Sequence, residues 1–162
     1  PVEELKQLRH PLYHVTNMKM EEVNSQLAGL QMELAEEIKV VFVLDSAREL
    51  GLKICTGEDN ETIIGYDAGL QELFIDRRLS GESAFSDRFA EVHRAPLRPE
   101  GGKIELHIFV DSCSVEVFAE DGSRIISDLI FPPSQNVRLE FYASEGNPRL
   151  DILDIWSLLD KS

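Results

Sequence analysis

The sequence predicts an all-β protein: a two-sheet antiparallel β-sandwich of the jelly-roll or concanavalin-like kind, in a single domain. Three observations predict it. Apolar residues alternate along many short runs rich in Val, Ile, Phe and Tyr. Gly, Asp, Asn and Pro punctuate those runs about every 8–12 residues, giving about ten strands. No segment between them reads as the crossover helix that a parallel pair would need. The chain has 162 residues, 43% hydrophobic and 28% charged, which suits one domain able to bury its core without a disulfide or a metal.

The elements follow in order. Residues Pro1 to Lys19 read as a connector; Val2, Leu5, Leu8 and Leu12 recur at helical spacing, but Pro11 interrupts them. Without an initiator Met, the chain is expected to be an excised or processed piece. Residues Met20 to Glu37 fit either an amphipathic helix or a strand with Leu30, Met32 and Leu34 alternating, and Gly29 weakens the helix. "IKVVFVL" sets Ile38, Val40, Phe42 and Leu44 on one face, and Leu50, Leu52 and Ile54 repeat the pattern. "TIIGYDAG" and "QELFIDRR" form the next pair around an Asp67-Ala68-Gly69 turn. A long Ser-, Gly- and Pro-rich loop precedes "LHIFVDSCSVEVFAEDG", where Leu106, Ile108 and Val110 face Val115, Val117 and Ala119 across a turn. "RIISDLIFPP", "NVRLEFYA" and "RLDILDIWSL" supply the last three strands. The sandwich is thus expected to occupy residues 20–162, with residues 1–19 as connector.

Charge narrows the partners. Thirty acidic against sixteen basic residues give −14, so a nucleic-acid backbone or an anionic membrane surface is repelled, whereas neutral sugars and other protein faces are not. No apolar run reaches the ~20 residues of a membrane span. The start, "PVEELKQLRH", lacks the layout of a signal peptide, and both secretion and the cytoplasm stay open as locations.

Little in the sequence points to chemistry. Cys55 and Cys113 have no CxxC or Cys/His spacing and read as two free thiols. Asp111 and Glu116 flank Cys113 and would hold its thiol protonated, which argues against a nucleophile. "SGESAF" lacks the GxSxG elbow of a serine hydrolase. His10 and His14 are separated by Pro11, His93 stands in a loop, and His107 alternates outward on a strand, so no metal site and no cofactor are expected. Asp111 and Glu116 are the one carboxylate pair worth weighing for glycoside hydrolysis. In so acidic a chain such pairs arise by chance, and they read as solvated strand ends, so no catalytic residue is assigned. "NET" at Asn60–Thr62 matches a glycosylation sequon in a turn.

"PVEELKQLR", "TGEDNETIIGYD", "LFIDRRLSG", "APL" and above all "LHIFVDSCSVEVFAEDG" resemble, in this order, the C-terminal β-sandwich module of glycoside hydrolase family 32, the β-fructosidases that include levanases, inulinases and invertases. The resemblance implies a parent enzyme that cleaves β-fructosyl bonds in levan, inulin or sucrose with retention. It implies an Asp nucleophile and a Glu acid/base on a separate N-terminal five-bladed propeller, in Asn-Asp-Pro-Asn-Gly, Arg-Asp-Pro and Glu-Cys motifs. This chain contains no Asp-Pro and no Glu-Cys dipeptide, so no catalytic residue carries over. It departs from the family at the turn, where Asp-Arg-Ser-Ser is usual and Asp111-Ser112-Cys113-Ser114 stands here.

The resemblance therefore implies a non-catalytic module that stabilises the propeller and shapes the cleft beside it. Asp76, Arg77, Ser80, Asp111 and Trp156 are the candidate interdomain contacts. The propeller of the same polypeptide is the expected partner. A fructan chain held through Tyr66, Phe74, Tyr142 or Trp156, and a second copy of the chain, are the alternatives.

Overall fold

The computed structural model describes residues 9–57, 60–79, 92–119, 124–129 and 136–158. Twelve strands and one helix run in the order β1 (His10–Lys19), α1 (Met20–Leu27), β2 (Met32–Glu33), β3 (Glu36–Val43), β4 (Glu49–Cys55), β5 (Glu61–Asp67), β6 (Glu72–Leu79), β7 (Val92–Pro96), β8 (Lys103–Val110), β9 (Ser114–Ala119), β10 (Arg124–Leu129), β11 (Asn136–Ser144) and β12 (Arg149–Ser157) among the described residues. They form two six-stranded antiparallel sheets, β1-β12-β3-β8-β9-β10 and β2-β11-β4-β5-β6-β7. The chain is an all-β sandwich, as its alternation predicts.

The inner faces are the alternating sets read from the sequence. Ile38, Val40 and Phe42 of β3, Leu106, Ile108 and Val110 of β8, and Leu50, Leu52 and Ile54 of β4 are all buried. Phe42 and Phe141 meet edge to face across the sheets, with centroids 5.9 Å apart. Such side chains contribute roughly 1.5–3 kcal/mol each on full burial. The buried Tyr66 hydroxyl donates to the Leu97 carbonyl at 2.7 Å, so its polar end is satisfied inside the core.

Three segments differ from the sequence reading. The stretch expected as one long loop before Lys103 contains strand β7, and His93, expected in a loop, pairs there with Ile75 of β6; β7 is too short, and too irregular in burial, to show an alternation. From His10 onward the expected connector is strand β1, paired with β12 along its length. Its half-buried, irregular pattern and Pro11 hide it. Proline is tolerated there because β1 is an edge strand and its register shifts between Pro11 and Tyr13. Residues 1–8 lie outside the described residues. The ambiguous Met20–Glu37 stretch contains both alternatives: Met20, Val23 and Leu27 bury one face of α1, and the alternation of Met32 and Leu34 belongs to β2 and the bend after it.

Asn24 ties α1 to the second sheet. Its side-chain amide donates to the Phe141 carbonyl, and its amide oxygen accepts from the Phe141 N–H, both at 2.8 Å. It thereby mimics a neighbouring strand along the part of β11 that β2 does not reach. Replacing Asn24 with alanine is expected to cost roughly 1–3 kcal/mol by leaving both backbone groups unpaired. Urea titration measures it, and a loss below that of an ordinary exposed substitution would contradict the role.

Candidate interdomain face

The strand register defines one end of the sandwich. His10 pairs with Ser157, Ser157 with Glu36, and Glu36 with Val110. The Asp111 turn follows Val110 directly, so the start of β1, the end of β12 and the β8–β9 turn lie together. One residue further into the strands, Trp156, Glu37, Phe109 and Glu116 stand side by side. Counted from the inward-facing Ile38, they occupy the outer face of the first sheet.

Glu37 is the centre of this corner. It is 1% exposed although it lies on an outer face. Arg9 covers it, donating from Nε to Oε1 at 2.7 Å and placing its guanidinium 4.2 Å from the centroid of the Trp156 ring. His107 Nε2 bonds the other carboxylate oxygen. Burial alone would push the Glu37 carboxyl up; the hydrogen bonds and charges of Arg9 and His107 outweigh it and hold it below the ordinary range. Burial also pushes the His107 ring below its ordinary value, against the pull of Glu37. The His107 ring lies 4.7 Å from Phe109, and Phe109 meets Phe118 edge to face at 5.9 Å. The Arg9–Glu37 ion pair, with Trp156 against the arginine and Phe109 and Phe118 next to His107, makes a corner of paired charges and half-buried aromatic rings.

The sequence candidates divide. Trp156 is in the corner, and Asp111 stands at its rim. The Asp111 carboxylate accepts from the Ser112 N–H at 2.6 Å, while the Asp111 N–H donates to the Ser114 carbonyl at 2.8 Å. That carboxylate caps its own turn. Cys113 is exposed at the tip and Cys55 is buried. Asp76 is on β6 in the other sheet, paired with Ile63 and Val92. Arg77 is buried at a bulge of β6 and offers little surface to another domain. Ser80 lies outside the described residues. Arg9, Glu37, His107, Phe109 and Phe118 were missed; Glu37 and Phe109 become neighbours of Trp156 only through the register. Among the described residues no group of three or more His, Cys, Asp or Glu is placed to hold a metal ion.

The outer face of the second sheet is built differently. Tyr142, Gly51, Gly65, Phe74 and Arg94 form one cross-strand row. The two glycines leave room for the rings: a Cβ on Gly65 would lie 2.4 Å from Phe74 Cζ and 2.6 Å from the Tyr142 hydroxyl. Tyr142 donates to Glu49 at 2.8 Å, and Phe74 is 6% exposed. With Tyr66 inside the core, these aromatics do not present an open stacking platform.

Comparison with known proteins agrees with this architecture. The family model "Glycosyl hydrolases family 32 C terminal" matches residues 4–157. The chain is 38% identical over 161 residues to a levanase of Bacillus subtilis (strain 168), covering 98% of this chain and 24% of the levanase. It is 37% identical to a levanase of Bacillus sp. (strain L7), covering 98% of this chain and 18% of that protein. The crystal structure of an exo-inulinase from Aspergillus awamori superposes with a TM-score of 0.66 at 27% identity, over 94% of this chain and 29% of that one. A sucrose-6-phosphate hydrolase from Lactobacillus gasseri shares the fold, with a TM-score of 0.69 at 22% identity over 98% of this chain and 31% of that one. The chain thus spans between about a fifth and a third of these proteins. With a family model matched over nearly its whole length and close relatives covering 98% of it, the chain belongs to the C-terminal domain family of glycosyl hydrolases family 32.

Proposed function

We propose that the chain is a non-catalytic β-sandwich module of a β-fructosidase acting on levan, inulin or sucrose, which stabilises the catalytic region of the same polypeptide and shapes the cleft between them. The observation that carries this reading is the Arg9–Glu37–Trp156 corner. It seals a carboxylate under an outer face at the place where the preceding polypeptide reaches β1, and it continues into Phe109 and Phe118. Half-buried aromatics at the junction with a larger region are what an interdomain contact needs. The names of the relatives supply the substrate class, and their greater length supplies the catalytic region. Asp111 is the rim contact in this reading, and Asp76 belongs to a separate face.

The test compares two molecules. Trp156→Ala combined with Phe109→Ala is expected to lower the melting temperature of the complete polypeptide by several degrees more than that of the 162-residue chain, because the complete molecule also loses packing between its parts. Differential scanning calorimetry of both forms measures it. Equal losses in the two would sink the docking role.

A further inference from the structure

A polar cavity of about 390 Å³ opens at the opposite end of the sandwich, where β1 passes into α1 and β11 turns into β12. The ten residues of β1 separate it from the Arg9 corner by roughly 30 Å. Its volume lies in the range of small-ligand sites, roughly 300–1,000 Å³. Four side chains on its wall, Lys19, Glu21, Glu145 and Asn147, make no hydrogen bond or ion pair among the described residues. The β11 edge adds a backbone pair. The Phe141 N–H and carbonyl face α1, where Asn24 takes both. Ala143, two residues on, directs its N–H and carbonyl to the same side, into the cavity wall. Met20 and Pro148 supply apolar surface beside these groups.

The wall is pre-formed. Glu145 and Gly146 both have positive φ, 63° and 66°, and a Cβ on Gly146 would fall 2.5–2.6 Å from the backbone of Asp45, Ser46 and Ala47. The turn is therefore locked against the β3–β4 loop, and the Asn147 N–H donates to the Asp45 carbonyl at 3.1 Å. One ammonium, two carboxylates, an amide and a backbone donor–acceptor pair offer both donors and acceptors with no excess of positive charge. An anion would meet Glu21 and Glu145, and an apolar ligand would leave six polar groups unpaired. A neutral ring bearing several hydroxyls, each both donor and acceptor, satisfies them.

From this geometry we infer that the cavity is a sugar subsite that holds a fructosyl unit of a fructan chain, distant from the interdomain corner. The sugar class follows from the lining; its assignment as fructosyl rests on the proposed function above. In the complete enzyme such a subsite would retain polymeric substrate without taking part in bond cleavage.

Nuclear magnetic resonance titration of the 162-residue chain with short levan-derived fructo-oligosaccharides, and with maltotriose as a control, tests it. Saturable shifts of the Ala143 and Asn147 amides are expected with the fructo-oligosaccharides alone. Asn147→Ala and Glu145→Gln should each weaken binding tenfold or more, and Trp156→Ala should leave it unchanged. Glu145→Gln retains the shape of the turn, so a folded variant is available whatever Asn147→Ala does. Shifts absent at high sugar concentration, unaffected by either cavity substitution, or equal with maltotriose would overturn the inference. The calorimetric comparison of interface variants contains no sugar, so failure here and failure of the docking role are read separately.

Discussion

Replacing Glu36 with glutamine is expected to stabilise the chain by roughly 2–4 kcal/mol at pH 8 and to change it little at pH 4. Glu36 begins β3 on the inward face, in step with Ile38, and is 0% exposed. Neither of its carboxylate oxygens has a hydrogen-bond partner among the described residues. Burial raises its pKa from 4.5 to about 8. The direction follows from proton counting. Below pH 4.5 the carboxyl is protonated in the folded and the unfolded chain, and it carries no penalty. Between pH 4.5 and about 8 the unfolded chain releases the proton while the folded chain retains it, so stability is lost progressively as pH rises through this window. A glutamine has no proton to release. Urea unfolding of both proteins from pH 4 to 9 isolates the effect, because self-repulsion of the −14 chain is common to both and cancels in the difference. A difference that does not widen with pH would contradict the assignment.

Gly51→Ala is expected to be a severely damaging single-methyl change, costing about 3 kcal/mol or more. An added Cβ would meet the Ile64 carbonyl oxygen at 2.3 Å and the Gly65 Cα at 2.7 Å. Both are backbone atoms of β5, which is central in its sheet, so relief requires parting two strands. Gly101→Ala is the control: Gly101 has φ 59° and nothing within 4 Å of a new Cβ, so the substitution carries backbone strain of about 1 kcal/mol. Thermal melts of the two variants give the ranking, and a Gly51 variant no worse than the Gly101 variant would refute the close-approach argument.

The same residues show where the sequence was legible. β3, β4, β8 and β9 were readable because one face of each is buried, and burial imposes a period of two that no turn or proline interrupts. The Asp111 turn was readable because aspartate and serine bond their own backbone. β1 was not, because an edge strand half-covered by its neighbours needs no strict alternation and accommodates Pro11. Glu36 and Glu37 look like a solvated strand end. Extending the Ile38–Val40–Phe42 pattern back by two would have placed Glu36 inside, but the partners of Glu37 come from β8, β12 and the segment before β1, and register is invisible in one sequence. The pairing of Gly51 with Gly65 is hidden for the same reason. Of the candidate contacts, Trp156 and Asp111 share one end of the sandwich, whereas Arg77 combines a polar identity with a buried position that only the bulge in β6 explains.

Bond cleavage is proposed to belong to polypeptide outside this chain, and release of fructose by the purified 162-residue chain tests this most directly. Incubated with levan, inulin and sucrose, the chain should release no fructose above the enzyme-free blank. Turnover that disappears on changing Asp111 to asparagine or Glu116 to glutamine would mean that the β8–β9 turn is an active site, and would contradict the account.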